Sequence, residues 1–268
     1  MSANGRIRIG TSGYSFADWV GPFYPAGMKS RDFLAFYSRT FDIVEVNSTY
    51  YRIPHPRVLE QMERKTPPEF RFVVKLNHTM THERTRDAAV YQEFRTAIEP
   101  LRAAGKFEGL LAQFPWAFRH SKPSLDHLRL LREALPGMPL FAEFRHDSWT
   151  APDVEPFLRE HRLGYCVVDE PALPGLMPTV TARTTDDAYV RFHGRNAKNW
   201  WGPENSARSQ LRYDYDYSAA ELGEWVQRVA QLAEQARRTY LFFNNCHAGQ
   251  AARNASLMKE LLRQQQLA

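Results

Sequence analysis

Eight short runs of apolar, β-branched and aromatic residues recur along the 268-residue chain, and most neighbouring pairs are separated by enough residues for one helix. They cover residues 7–11, 43–47, 71–76, 110–114, 140–145, 165–169, 189–193 and 240–244. Helical spacing fills several of the gaps, as in Leu128, Leu131 and Leu135, or Leu222, Trp225, Val226, Val229 and Ala233. Gly105, Gly137 and Gly164 stand where a left-handed residue would end a helix before the next strand, and Ser218 with Glu221 forms a capping box. Repeated βα alternation calls for a parallel sheet with helices outside, and eight repeats in this length give a (β/α)8 TIM-type barrel, α/β in class, as a single domain over residues 1–268. The rhythm breaks twice. Residues 170–187 hold Pro171, Pro174 and Pro178 and no helical period, so an extended connection replaces the helix between strands six and seven. Residues 194–217 form a long polar and aromatic loop after strand seven.

In such a barrel the functional groups gather at the C-terminal ends of the strands. Those ends carry Thr11 and Ser12, Glu45 and Asn47, Lys75, Gln113, Glu143 with Arg145 and His146, Asp169, Arg191 and His193, and Asn244 with Asn245. Strand residues two apart share a face, so Glu45 with Asn47, Glu143 with Arg145, and Arg191 with His193 turn the same way. Facing the helix layer they would be desolvated and poorly paired; facing inward they converge. Glu45, Lys75, Glu143, Asp169 and His193 are accordingly the candidate catalytic groups. Lys75, Arg145 and Arg191 are read as holding an anion, though a charge-balanced plug would use the same residues. A buried Lys75 would also suit base or Schiff-base chemistry.

Aromatic residues crowd the loops at the same end. Tyr14 and Trp19 follow strand one, Tyr50 and Tyr51 strand two, Trp116 strand four, Trp149 strand five, and Trp200 and Trp201 lie in the seventh loop. Such rings either form loop cores or offer faces to a flat or sugar-like ligand. Tyr14, Trp19, Asn47, Tyr51, His82, Gln113, Arg145, His146, Arg191, Asn244, Asn245 and Trp201 make up the candidate binding set. His78 and His82 are read as loop or strand, with His82 toward the pocket. We expect no resident cofactor. The two glutamates, Asp169 and His193 offer ligands for a divalent metal, but interleaved cations oppose it. No Walker sequence, Gly-rich phosphate loop or serine elbow is present.

Several of these segments together resemble the DUF72 family, also called YecE-like proteins: Gly10 to Trp19 with Phe23, Tyr24 and Pro25; Val44 to Tyr51; Gln113 to Pro115; Glu143 to His146 with Ser148 and Trp149; Tyr189 to Gly194; and Phe242 to Asn245 with Gly249, Ala251, Asn254 and Ala255. The likeness runs nearly end to end. Tyr14 departs from the usual Trp of that family, and Trp116 from a common Pro. The resemblance implies a TIM-type barrel and no established reaction.

The formal charge is +5, from 35 Lys and Arg against 30 Asp and Glu, without blocks of like charge. It favours an anionic partner and permits nucleic acid without requiring it. No apolar run approaches the length of a membrane span, Met1 to Gly10 contain no export signal, and Cys166 and Cys246 are not closely paired, so a cytoplasmic location is expected. The combined expectation is an acid–base enzyme, whether hydrolase, lyase or isomerase, for a small anionic or sugar-like substrate. The alternatives are a nucleic-acid-binding or processing protein and a non-catalytic ligand-binding barrel.

Overall fold

The computed structural model describes residues 6–201, 211–265 and 267. Strands β1 (Arg6–Thr11), β2 (Ile43–Val46), β3 (Arg71–Lys75), β4 (Phe107–Gln113), β5 (Leu140–Glu143), β6 (Gly164–Asp169), β7 (Asp187–Phe192) and β8 (Arg238–Phe243) form one parallel sheet. The order is β1-β8-β7-β6-β5-β4-β3-β2. At the seam, Ser12 bridges to Glu45, and the Gly13 N–H donates to the Glu45 carbonyl at 2.8 Å, which nearly closes the barrel. Every strand is largely buried, which explains why the chain announces the strands as apolar runs rather than alternating ones.

Helices α1 (Phe33–Tyr37), α2 (Ser48–Tyr51), α3 (Pro56–Arg64), α4 (His78–Thr81), α5 (Ala88–Ala103), α6 (Lys122–Ala134), α7 (Val154–Glu160), α8 (Ala219–Gln235) and α9 (Gln250–Gln264) fill the connections. The capping box of Ser218 and Glu221 opens α8, which buries Leu222, Trp225, Val226, Val229 and Ala233. No helix joins β6 to β7. There Thr184 Oγ1 accepts the Tyr165 N–H at 2.7 Å and donates to the Leu163 carbonyl at 2.6 Å, tying the extended segment to the sheet. No helix among the described residues is long and apolar enough to cross a membrane.

Three local readings change. Gly105 and Gly137 have φ of +66° and +71°, as a helix stop requires, but Gly164 lies inside β6 and Arg162 takes the left-handed turn at +51°. Gly164 instead leaves room for the ring of Phe141, which a Cβ would strike. His78 begins the single turn α4, not a loop or strand, because Asn77 caps it by accepting the Thr79 N–H at 3.1 Å. Strands β4, β7 and β8 begin two or three residues before their apolar runs. Their first residues carry charge: Glu108 Oε1 lies 3.2 Å from Arg71 and 3.9 Å from Arg8, and its other oxygen accepts from Arg238 and, at 2.7 Å, from the Tyr240 hydroxyl. This ionic floor closes the N-terminal end of the barrel.

Candidate functional site

At the other end, alternate strand residues again turn inward. The Tyr189 hydroxyl donates to Glu45 Oε2 at 2.6 Å although β7 and β2 are not neighbours, so the bond spans the interior. Arg191, two residues on, extends its fork between two carboxylates: Nη2 donates to Glu45 Oε1 at 2.7 Å and Nη1 to Glu143 Oε2 at 2.5 Å. Its Nη2 also lies 3.1 Å from Ser12 Oγ and 3.2 Å from Asn244 Oδ1. Glu143 Oε1 then meets Arg145 Nε at 2.6 Å, and Arg145 Nη1 donates to Glu170 Oε2 at 3.2 Å. The result is a buried chain of alternating charge, Glu45–Arg191–Glu143–Arg145–Glu170. His193 Nε2 stands 3.2 Å from Glu143 Oε1. Because Asn244 Oδ1 accepts from Arg191, its amide nitrogen faces His193 Nδ1 at 3.1 Å; the imidazole hydrogen is therefore on Nε2, toward the carboxylate.

This packing separates the ionisation behaviour of neighbouring groups. Burial works against the Glu143 charge, but Arg145 and Arg191 hold its carboxyl well below the usual range. Desolvation, reinforced by Arg145, lowers His193 to about 3, so the imidazole is neutral. Burial raises Glu170 to about 7 despite Arg145. With Glu170 protonated the chain balances, two carboxylates against two guanidiniums. Its arginines are thus paired with protein carboxylates, whereas the sequence reading grouped them with Lys75 as holders of an anion.

Lys75 differs from both. It ends β3, partly exposed, and its Nζ donates to a neutral acceptor, Gln113 Oε1, at 2.7 Å. The nitrogen lies 4.4 Å from the centre of the Tyr50 ring, and it makes no ion pair among the described residues. Desolvation first, and Arg191 next, lower it to about 7. His82 lies beyond Tyr50, its ring 5.1 Å from the tyrosine ring, and desolvation followed by Lys75 lowers it to about 4.

The remaining candidates divide. Tyr51, Trp116 and Trp201 are 78%, 37% and 55% exposed, and Trp116 stands edge-on to Trp201 at 5.6 Å. His146 lies 4.9 Å from Trp116 while its Nδ1 accepts the Ser148 N–H. Asn47 Oδ1 and Arg191 Nε are buried without a hydrogen-bond partner among the described residues. Tyr14 packs beside Tyr37, and its carbonyl accepts from Tyr24. Trp19 belongs to the loop core: it is fully buried among Phe16, Phe23 and Tyr24, and its indole N–H donates to the Cys246 carbonyl at 2.6 Å. Trp149 and Trp200 are likewise buried. Asn245 ties Tyr215 to Asn254.

Asp169 points away from the cluster. Cys166, two residues earlier than Val168 on the inward face, lies 3.8 Å from Glu143, so Asp169 falls on the opposite face of β6. There it accepts from Trp225 at 2.6 Å, Tyr217 at 2.7 Å and Arg195 at 2.8 Å, which anchors the seventh loop to α8. Glu170, missed from the sequence, replaces it: position 170 continues the inward period of Cys166 and Val168. Among the described residues no group of three or more His, Cys, Asp or Glu is placed to hold a metal ion. A depression of about 230 Å³ lined by Phe41, Asp42, Phe70 and Lys259 contains none of the charged chain.

A parallel eight-stranded barrel carrying a buried charge chain at its C-terminal strand ends places the protein among the TIM-like α/β barrels. The family model described as "Protein of unknown function DUF72" matches residues 8–268, and the chain belongs to that family. It is 32% identical to the UPF0759 protein YunF of Bacillus subtilis, covering 96% of this chain and 94% of the relative. The UPF0759 protein YecE of Escherichia coli O157:H7 is 28% identical, with 96% and 93% covered. A crystal structure of a DUF72 family protein from Thermotoga maritima superposes with a TM-score of 0.88 at 43% identity, covering 96% of this chain and 99% of that one. One from Enterococcus faecalis gives 0.85 at 26% identity, with 96% and 95% covered.

Proposed function

We propose that the protein is an acid–base enzyme for a small anionic or sugar-like substrate bound at the C-terminal ends of the strands, with Lys75 exchanging the proton. The observation that carries this reading is the position of Lys75: among the described residues of the cluster, it is the cation that no carboxylate pairs with. Its protonated form attracts an anionic group, and its neutral form accepts a proton near neutral pH. Arg191, Glu143 and Arg145 keep fixed charges around it without reorganising, and Tyr51, Trp116 and Trp201 supply ring faces for the carbon skeleton. Glu143 and His193 then orient and polarise rather than titrate, because one is held ionised and the other neutral.

Thermal unfolding with a panel of sugar phosphates and sugar acids tests this. At least one compound, well above its Kd, should raise Tm by about 3 °C or more in the wild type and by less than about 1 °C in Lys75→Met. The difference should shrink from pH 6 to pH 8 as Lys75 loses its proton. No stabilisation by any member, or equal stabilisation of both proteins at both pH values, would refute the reading.

A further inference from the structure

The hydrogen-bonding of Lys75 is unusual for a half-buried lysine. Gln113 cannot turn its amide toward the lysine without breaking a bond, because its Nε2 already donates to the Phe114 carbonyl at 2.7 Å; its Oε1 therefore faces Nζ. A neutral acceptor takes one N–H from an amine as well as from an ammonium, and it leaves the nitrogen lone pair unengaged. A carboxylate in that place would lock the charged form. The nearest inward carboxylates are already committed, Glu45 to Arg191 and Glu143 to Arg191 and Arg145. The Tyr50 ring covers one side of the nitrogen, restricting approach, and the lysine remains partly exposed.

From this geometry we infer that Lys75 forms an imine with the carbonyl carbon of a small aldehyde, ketone or keto acid. The inference rests on the reading above, that Lys75 meets the substrate, and makes the amine a nucleophile. The Nζ lone pair attacks the carbonyl carbon, a C–N bond forms, and the C=O π pair moves to oxygen. Both hydrogens of the amine end on that oxygen, carried through solvent water, and it departs as one water molecule while the C=N bond closes. No oxidant or reductant is involved. Protonated, the imine withdraws electrons from the neighbouring carbon, which favours lyase or isomerase chemistry over hydrolysis. Burial adds to reactivity: near pH 7 about half of Lys75 is neutral, roughly a thousandfold more than an exposed lysine.

The test is reductive trapping. The protein is incubated at pH 7 with glyceraldehyde or with pyruvate, reduced with cyanoborohydride, and mapped by peptide mass spectrometry. The adduct should accumulate on Lys75 at least about tenfold faster than on the exposed Lys29, Lys65, Lys122 and Lys198, and that site should be silent in Lys75→Arg. The comparison among lysines of the wild type needs no variant to fold. Labelling of Lys75 no faster than the exposed lysines with both probes overturns the inference. If sugar phosphates still stabilise the protein in a Lys75-dependent way, the imine alone fails; if that dependence is absent too, the acid–base reading fails with it.

Discussion

Arg191→Ala is expected to destabilise the protein by about 3–5 kcal/mol, measured as a fall in the urea midpoint at unchanged slope. The guanidinium is 1% exposed and joins two carboxylates that are themselves fully buried. Its removal leaves Glu45 and Glu143 desolvated and, in the case of Glu45, with the Tyr189 hydroxyl as its named partner. Arg191→Lys should recover less than half, because one ammonium cannot reach both carboxylates together with Ser12 and Asn244. Adding Glu45→Gln and Glu143→Gln to Arg191→Met should restore part of the loss, since the penalty lies in the stranded charges. A loss below about 1 kcal/mol for Arg191→Ala would contradict the pairing.

Glu108→Ala is the counterpart at the barrel floor, with an expected loss of about 3 kcal/mol or more. Glu108 is buried beneath Arg8, Arg71 and Arg238, so its removal leaves three guanidiniums facing one another. The damage is limited because Arg8 keeps Asp42 at 2.8 Å and Arg238 keeps Asp187 at 3.6 Å. Urea unfolding measures the loss, and high salt should reduce it only in part, because Glu108 and Arg8 are buried while Arg71 and Arg238 are partly exposed. Arg71→Met in the same background should recover stability by lowering the repulsion. A loss in Glu108→Ala indistinguishable from that of an exposed substitution such as Glu93→Ala would show that the floor network contributes nothing.

The strand count and barrel were legible because strands buried on both faces must be apolar throughout. Their starts were not, because Glu108, Asp187 and Arg238 are charged residues whose partners lie on distant strands. Period two correctly grouped Glu143 with Arg145 and Arg191 with His193 on one face. The same rule, carried along β6 from Cys166, would have moved the inward carboxylate from Asp169 to Glu170. Which cation meets which carboxylate is a cross-barrel matter: Glu45 and Arg191 are 146 residues apart in the chain. For that reason Lys75 could be singled out from the sequence, but not its neutral partner. The loop aromatics show the limit of composition, since Trp19 and Trp201 look alike in sequence yet one is fully buried and the other 55% exposed.

The ionisation of Lys75 in the folded protein is the most direct measurement of whether the strand ends form one charged interior site in which Lys75, among the described residues, is left without a carboxylate partner. An NMR titration of the lysine 13Cε and 15Nζ resonances, assigned with Lys75→Arg, should place its midpoint at about 7. A midpoint at about 10.4, the value of a solvated lysine, would contradict that arrangement.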